Sequence, residues 1–148
     1  MIEQSIQRLQ YLCEIIPPLL ANIDEQTFSF KPSPEKWSKK EILGHLIDSA
    51  TNNHHRFVRS QFEYIPKIYY DQNDWNKFGY YGQIDGKQII SFWTAYNRQL
   101  LELLKLMPKE NFKRVCNTAD DSMITLEVVL EQYLEHMEHH LKQIVDYK

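Results

Sequence analysis

The spacing of apolar residues constrains this chain more than any other feature. Four long stretches repeat hydrophobic side chains every three or four positions, the period that lines one face of an α-helix. The first, from about 3 to 22, carries Ile6, Leu9, Leu12, Cys13, Ile16, Leu19 and Leu20, with Ile23 just beyond. Pro17 and Pro18 lie inside it. A proline removes a helix donor and crowds the preceding turn, so a kink or break is expected there. The second stretch opens on Ser38 with Glu41 three residues on, a capping box. It continues through Ile42, Leu43, Leu46, Ile47, Ala50, Phe57 and Val58 to about 62. The third runs from about 87 to 106 with Ile89, Ile90, Phe92, Trp93, Tyr96, Leu100, Leu103 and Leu104, and Pro108 marks its end. The fourth starts near Thr125 and reaches about 147 through Leu126, Val129, Leu130, Tyr133, Met137, Leu141, Ile144 and Val145.

Glycine usage points the same way. Only four glycines occur, and Gly79, Gly82 and Gly86 are clustered. The turn punctuation of a β fold is therefore missing elsewhere. Four amphipathic helices in 148 residues read as one all-α four-helix-bundle domain spanning 1–148. Between the second and third helices the pattern fails from 63 to 85, where Tyr64, Tyr69, Tyr70, Trp75, Phe78, Tyr80 and Tyr81 gather. A connection this long and aromatic is expected to pack over one end of the bundle, and it is also suited to wall a ligand site.

Charge and cysteines narrow the function. The formal net charge is −3, with both signs interspersed. No basic stripe is present for a phosphate backbone, so nucleic acid is not the expected partner. Cys13 and Cys116 show no metal-ligand or redox spacing and read as reduced, partly buried thiols. The first ten residues, MIEQSIQRLQ, lack an apolar signal core, and no window is apolar enough to span a membrane. The expectation is a soluble, cytoplasmic protein without a membrane partner. A chain of this length buries about two-thirds of its unfolded surface. A metal would therefore serve function rather than folding.

Six histidines occur, at 45, 54, 55, 136, 139 and 140. His136 and His140 stand four apart in a helical stretch, on the stripe that carries Val129, Tyr133 and Ile144. Two imidazoles so stacked converge on one ion. His136 with His139 is the alternative pair, and packing or hydrogen bonding is the plainer reading of either. His45 lies mid-helix on the inward side of the second stretch. His45, Ser49, Asn52 and Arg56 recur at spacings of 4, 3 and 4, with Asp48 beside them. A polar column is costly in a dry core. It fits a wet, metal-containing cavity, or else a helix face turned to solvent. For His54, His55 and His139, solvent exposure is expected.

These segments resemble a known family. Trp37-Ser38, Glu41 and Gly44-His45-Leu46-Ile47-Asp48-Ser49 look like the first signature of the DinB-like superfamily. His136-Met137-Glu138-His139-His140-Leu141-Lys142-Gln143-Ile144 looks like the second. The likeness covers nearly the whole chain and is greatest to the YfiT-like branch, which includes bacillithiol S-transferases and proteins labelled metal-dependent hydrolases. It implies an up-down-down-up bundle, often dimeric, with one divalent transition metal, zinc or nickel, held by His45, His136 and His140. Asp48 and Arg56 fall where the branch tends to carry an Asp and an Arg. Ala50 stands where a further histidine often follows the Asp-Ser pair, which leaves the substrate open.

Three neutral imidazoles leave a metal position free for chemistry. An ion so held lowers the pKa of water to about 7 and stabilises a thiolate. Two enzyme readings follow. One is transfer of a low-molecular-weight thiol to a small electrophile, suggested by the resemblance, and the other is hydrolysis by activated water. In both, Asp48 is expected to orient a ligand histidine or accept a proton. Arg56 is expected to pair with a substrate carboxylate, and Tyr70 and Trp75 to wall the cleft. A third reading is a non-catalytic, dimeric metal-binding or stress-response module.

Overall fold

The computed structural model describes all 148 residues. Its helices are α1 (Ile2–Ala21), α2 (Glu25–Ser29), α3 (Lys39–Arg59), α4 (Gln72–Gly79), α5 (Gly86–Leu106) and α6 (Leu126–Leu141). Short 3₁₀ turns cover Tyr81–Gln83 and Lys109–Lys113. Strands β1 (Val115–Asn117) and β2 (Met123–Thr125) form an antiparallel hairpin that the sequence pattern did not anticipate.

Helix α3 begins as its cap dictates: Ser38 Oγ accepts from Glu41 N–H, and the Glu41 carboxylate accepts from Ser38 N–H. Thr125 caps α6 by accepting from Val128 N–H. Two expectations change. Helix α1 runs unbroken through Pro17 and Pro18, which fall in its last turns, where buried Ile16 and Leu20 hold the segment to the core. Helix α6 stops at Leu141 instead of continuing to 147, and the chain turns back through Gln143 N–H→His140 O and Ile144 N–H→Leu141 O bonds. The segment from 63 to 85 is also more regular than its pattern: α4 and a 3₁₀ turn occupy half of it.

The long helices form a ring in which α1 packs on α5 and α6, and α3 packs on α5 and α6. Their directions follow from the ends. Buried Lys40, at the start of α3, donates to Glu25 beyond the end of α1 and to Ile84 O just before α5. The starts of α3 and α5 thus meet at the end of α1, and both run back antiparallel to it, α5 packed against it and α3 across the bundle. At the other end Arg114 donates to Ser60 O, and its own carbonyl accepts from Leu126 N–H. This seats the start of α6 at the end of α3, and α6 returns antiparallel to α3. The topology is up-down-down-up, and it brings the last turns of α6 back to the first turns of α3. A cluster of 27 buried apolar residues fills the interior, with Trp93, Tyr133, Phe57 and Phe112 among its largest members. No helix is long and apolar enough to cross a membrane.

Candidate metal centre

Helix α3 is buried along most of its length, including its polar residues. His45 is 0% exposed, and Asp48, Ser49, Asn52 and Asn53 are all buried. The polar column therefore does not face solvent. Part of it is satisfied locally: Asn52 donates to Asp48 O and Asn53 to Ser49 O, each one turn back. His45 is not satisfied in that way, because its Nδ1 has no partner.

The partner of its other nitrogen comes from α6. His45 Nε2 lies 2.9 Å from His136 Nε2. The three rings of His45, His136 and His140 meet edge to face, with centroids 4.7–4.8 Å apart. One nitrogen from each lies within 4.8 Å of the others. A tetrahedral ion bonded at 2.0–2.1 Å keeps neighbouring nitrogens about 3.3 Å apart, inside that range. Burial, reinforced by mutual repulsion, pushes His45 down to about 3 and His136 down to about 4. Both are therefore neutral at physiological pH, the form that ligates. His140 Nδ1 lies 2.9 Å from Gln143 Oε1. A carbonyl oxygen only accepts, so Nδ1 carries a hydrogen and Nε2 is the nitrogen left to ligate. Donor set, spacing and protonation all fit a divalent transition metal.

The alternative pairing of His136 with His139 is not what the fold brings together: His139 is exposed, and it meets the cluster only through His140, at 5.0 Å. His55 is exposed as expected, but His54 is not, because it is half-buried and its Nδ1 lies 2.9 Å from the Tyr96 hydroxyl. Cys13 and Cys116 are free thiols, fully buried.

A cavity of about 220 Å³ opens beside His136, lined by Ser49, Asn53, Arg56, Tyr70 and Gln132 among others. Arg56 spends three N–H groups on Ile68 O and Asn53 Oδ1. Two of the five guanidinium donors remain for a ligand. Tyr70 walls this cavity, whereas Trp75 packs edge-on to Tyr70 and faces a different cleft.

Asp48 does not accept from a ligand histidine, the orienting contact expected for it. Its Oδ1 accepts from the Tyr81 hydroxyl at 2.5 Å, and its Oδ2 is buried without a partner. Burial raises its carboxyl to about 6, against the lowering effect of the Tyr81 bond.

Three supporting residues went unrecognised as such in the sequence: Tyr81, Gln143 and Trp37, whose ring packs 4.9 Å from that of His45. Gly44 carried the one usable signal. A glycine in mid-helix costs about 1 kcal/mol relative to alanine, so it needs a packing reason. That reason is Tyr81, whose ring lies where a Cβ on Gly44 would be.

A family model described as the DinB superfamily matches residues 4–144. The Bacillus subtilis protein YfiT, provisionally named a metal-dependent hydrolase, is 28% identical over 149 residues, covering 97% of this chain and 84% of its own. A Halalkalibacterium halodurans protein, BH0277, named in the same way, is 22% identical over 144 residues with the same coverage. The solved structure of Bacillus subtilis YfiT, described as having an unusual four-helix bundle topology, superposes with a TM-score of 0.86 at 24% identity, covering 97% of this chain and 83% of that one. A mycothiol-dependent maleylpyruvate isomerase superposes with a TM-score of 0.81 at 12% identity, covering 97% of this chain and 60% of that one.

Proposed function

The chain belongs to the DinB superfamily, and on that premise we propose that it is a metal-dependent enzyme whose ion is held by His45, His136 and His140. The observation that carries this reading is the convergence of three ring nitrogens within 4.8 Å at the edge of a polar cavity. Zinc and nickel both suit three imidazole donors. A bound ion supplies Lewis acidity, which favours the deprotonated form of a thiol or of water.

The reaction proposed is transfer of a small thiol to a small electrophile. The sulfur attacks the electrophilic carbon, a C–S bond forms, and the bond from that carbon to its leaving group breaks. Arg56 anchors a carboxylate of the substrate through its two remaining N–H groups. Asp48, three residues along α3 from His45, faces a different cleft and does not line this cavity, so the thiol proton passes to solvent. Support comes from the cavity beside the triad and from a neighbour in fold that depends on mycothiol. Hydrolysis is the second reading, favoured by the names of the relatives.

Metal-loaded protein incubated with an aryl halide, with and without a thiol, separates the two. The proposal expects product only when thiol is present, with Arg56→Lys raising KM for a carboxylated thiol at least tenfold. Metal- and protein-dependent hydrolysis of ester or amide substrates in the absence of thiol, with no thioether formed in its presence, contradicts it.

A further inference from the structure

Asp48 faces a second cleft, separate from the cavity beside His136. It has a volume of about 490 Å³ and is lined by Asp48, Asp74, Trp75, Phe78, Gly79 and Tyr81. We infer that this cleft binds the ammonium group of a small organic cation, with the Asp48 carboxylate as its counter-charge and the α4 aromatics as its walls. The inference does not require the metal or the transfer reaction.

Four observations carry it. Asp48 is 3% exposed and keeps one carboxylate oxygen without any partner. A buried acceptor left unmade costs free energy, so this oxygen is built for a donor the chain does not provide. Tyr81 fixes the other oxygen at 2.5 Å and so sets the carboxylate's orientation. The walls are aromatic: Trp75 is 41% and Phe78 63% exposed, although neither is needed to close the core. Ring faces attract cations, and more strongly where water is displaced. The Lys77 ammonium already sits 5.4 Å from the centre of the Phe78 ring. Finally, Asp74 adds a second negative charge at the cleft, and neither Asp48 nor Asp74 is paired with a basic side chain.

The wall chemistry selects an organic cation over a metal ion. A hard cation such as magnesium or calcium needs six or more oxygen ligands, and here two carboxylates stand among aromatic carbon. An ammonium carried on a short apolar chain matches both: its N–H groups meet Asp48, and its carbon atoms meet the rings. Such a group belongs either to a substrate of the metal centre or to a separate amine ligand.

The test is a titration of the full-length protein and its variants with n-propylammonium, followed by isothermal titration calorimetry. 1-Butanol serves as the neutral control. Saturable binding of the ammonium, at least tenfold tighter than the alcohol, is expected. Trp75→Ala and Asp74→Asn should each weaken it severalfold, and Asp48→Asn at least tenfold, with metal content unchanged in the first two. Equal binding of the alcohol, no saturable binding, or full affinity in both Trp75→Ala and Asp74→Asn overturns the inference. Because the first two variants leave Asp48 intact, the outcome holds even if Asp48→Asn misfolds. Running the titration on metal-free and metal-loaded protein distinguishes the sources: binding that appears only with metal marks a substrate group, and binding in both marks an independent ligand. Failure here leaves the metal site untouched, since metal content is measured separately.

Discussion

Gly44 shows how much of this centre depends on single atoms. It lies next to His45, and the Tyr81 ring occupies the space of its missing Cβ. Gly44→Ala gains about 1 kcal/mol of helix propensity but must move an aromatic ring and break its bond to Asp48, which costs about 1–3 kcal/mol. The net expectation is a loss, seen as a lower urea midpoint, while alanine at an exposed helical glycine would raise it. A second prediction follows from protonation of the metal-free protein. His45 and His136 have folded values of about 3 and 4 against a reference of 6.5. Between those limits the unfolded chain takes up protons that the folded chain refuses, so stability falls as pH drops. Asp48, raised to about 6 from 3.8, works the other way over much of the same range, because the folded state protonates first. Two histidines against one carboxyl leave a net loss, so the urea midpoint should decrease from pH 6.5 to pH 4; a midpoint that rises over that range refutes the assignment of buried neutral rings. The histidine pair on α6 is legible in the sequence because a spacing of four fixes its geometry within one helix. Tyr81, Trp37 and Gln143 are not, because each meets its partner across a turn or from another element that periodicity does not place.

At the level of elements, α3 is the part the sequence specifies most fully. Its cap, its apolar stripe and its polar column agree with one another, and the helix forms over Lys39–Arg59. Ser38→Ala removes the side-chain half of the capping box and should cost about 1 kcal/mol, read from chemical denaturation. A change within error would mean that tertiary packing, with Lys40 tied to Glu25 and Ile84, fixes this end without the cap. The elements that pattern did not resolve are all short. Helix α2 has five residues, α4 has eight, and each strand of the hairpin has three. None extends much beyond two periods, and each is shaped instead by what it packs against: Phe28 of α2 is buried in the core, and Asn76 of α4 donates to Glu41 O on α3. Pro17 and Pro18 misled for a related reason. Propensity argues for a break, but the burial of Ile16 and Leu20 on either side of them outweighs it.

For the molecule as a whole, the up-down-down-up order has a chemical consequence. It runs α6 antiparallel to α3, so the histidines late in α6 face the one early in α3, and the site spans two helices remote in sequence. The core of 27 apolar residues extends well beyond the triad, so the bundle should fold without metal. Chelation is expected to leave helical circular dichroism unchanged, and a collapse of the signal would make the ion structural. The central claim is tested most directly by elemental analysis of the purified protein alongside its His45→Ala, His136→Ala, His140→Ala and His139→Ala variants. The expected result is one equivalent of a divalent transition metal per chain in the parent and in His139→Ala, and loss of most of it in each of the other three. Full metal content in His136→Ala, or none in the parent after incubation with zinc or nickel at neutral pH, would contradict it.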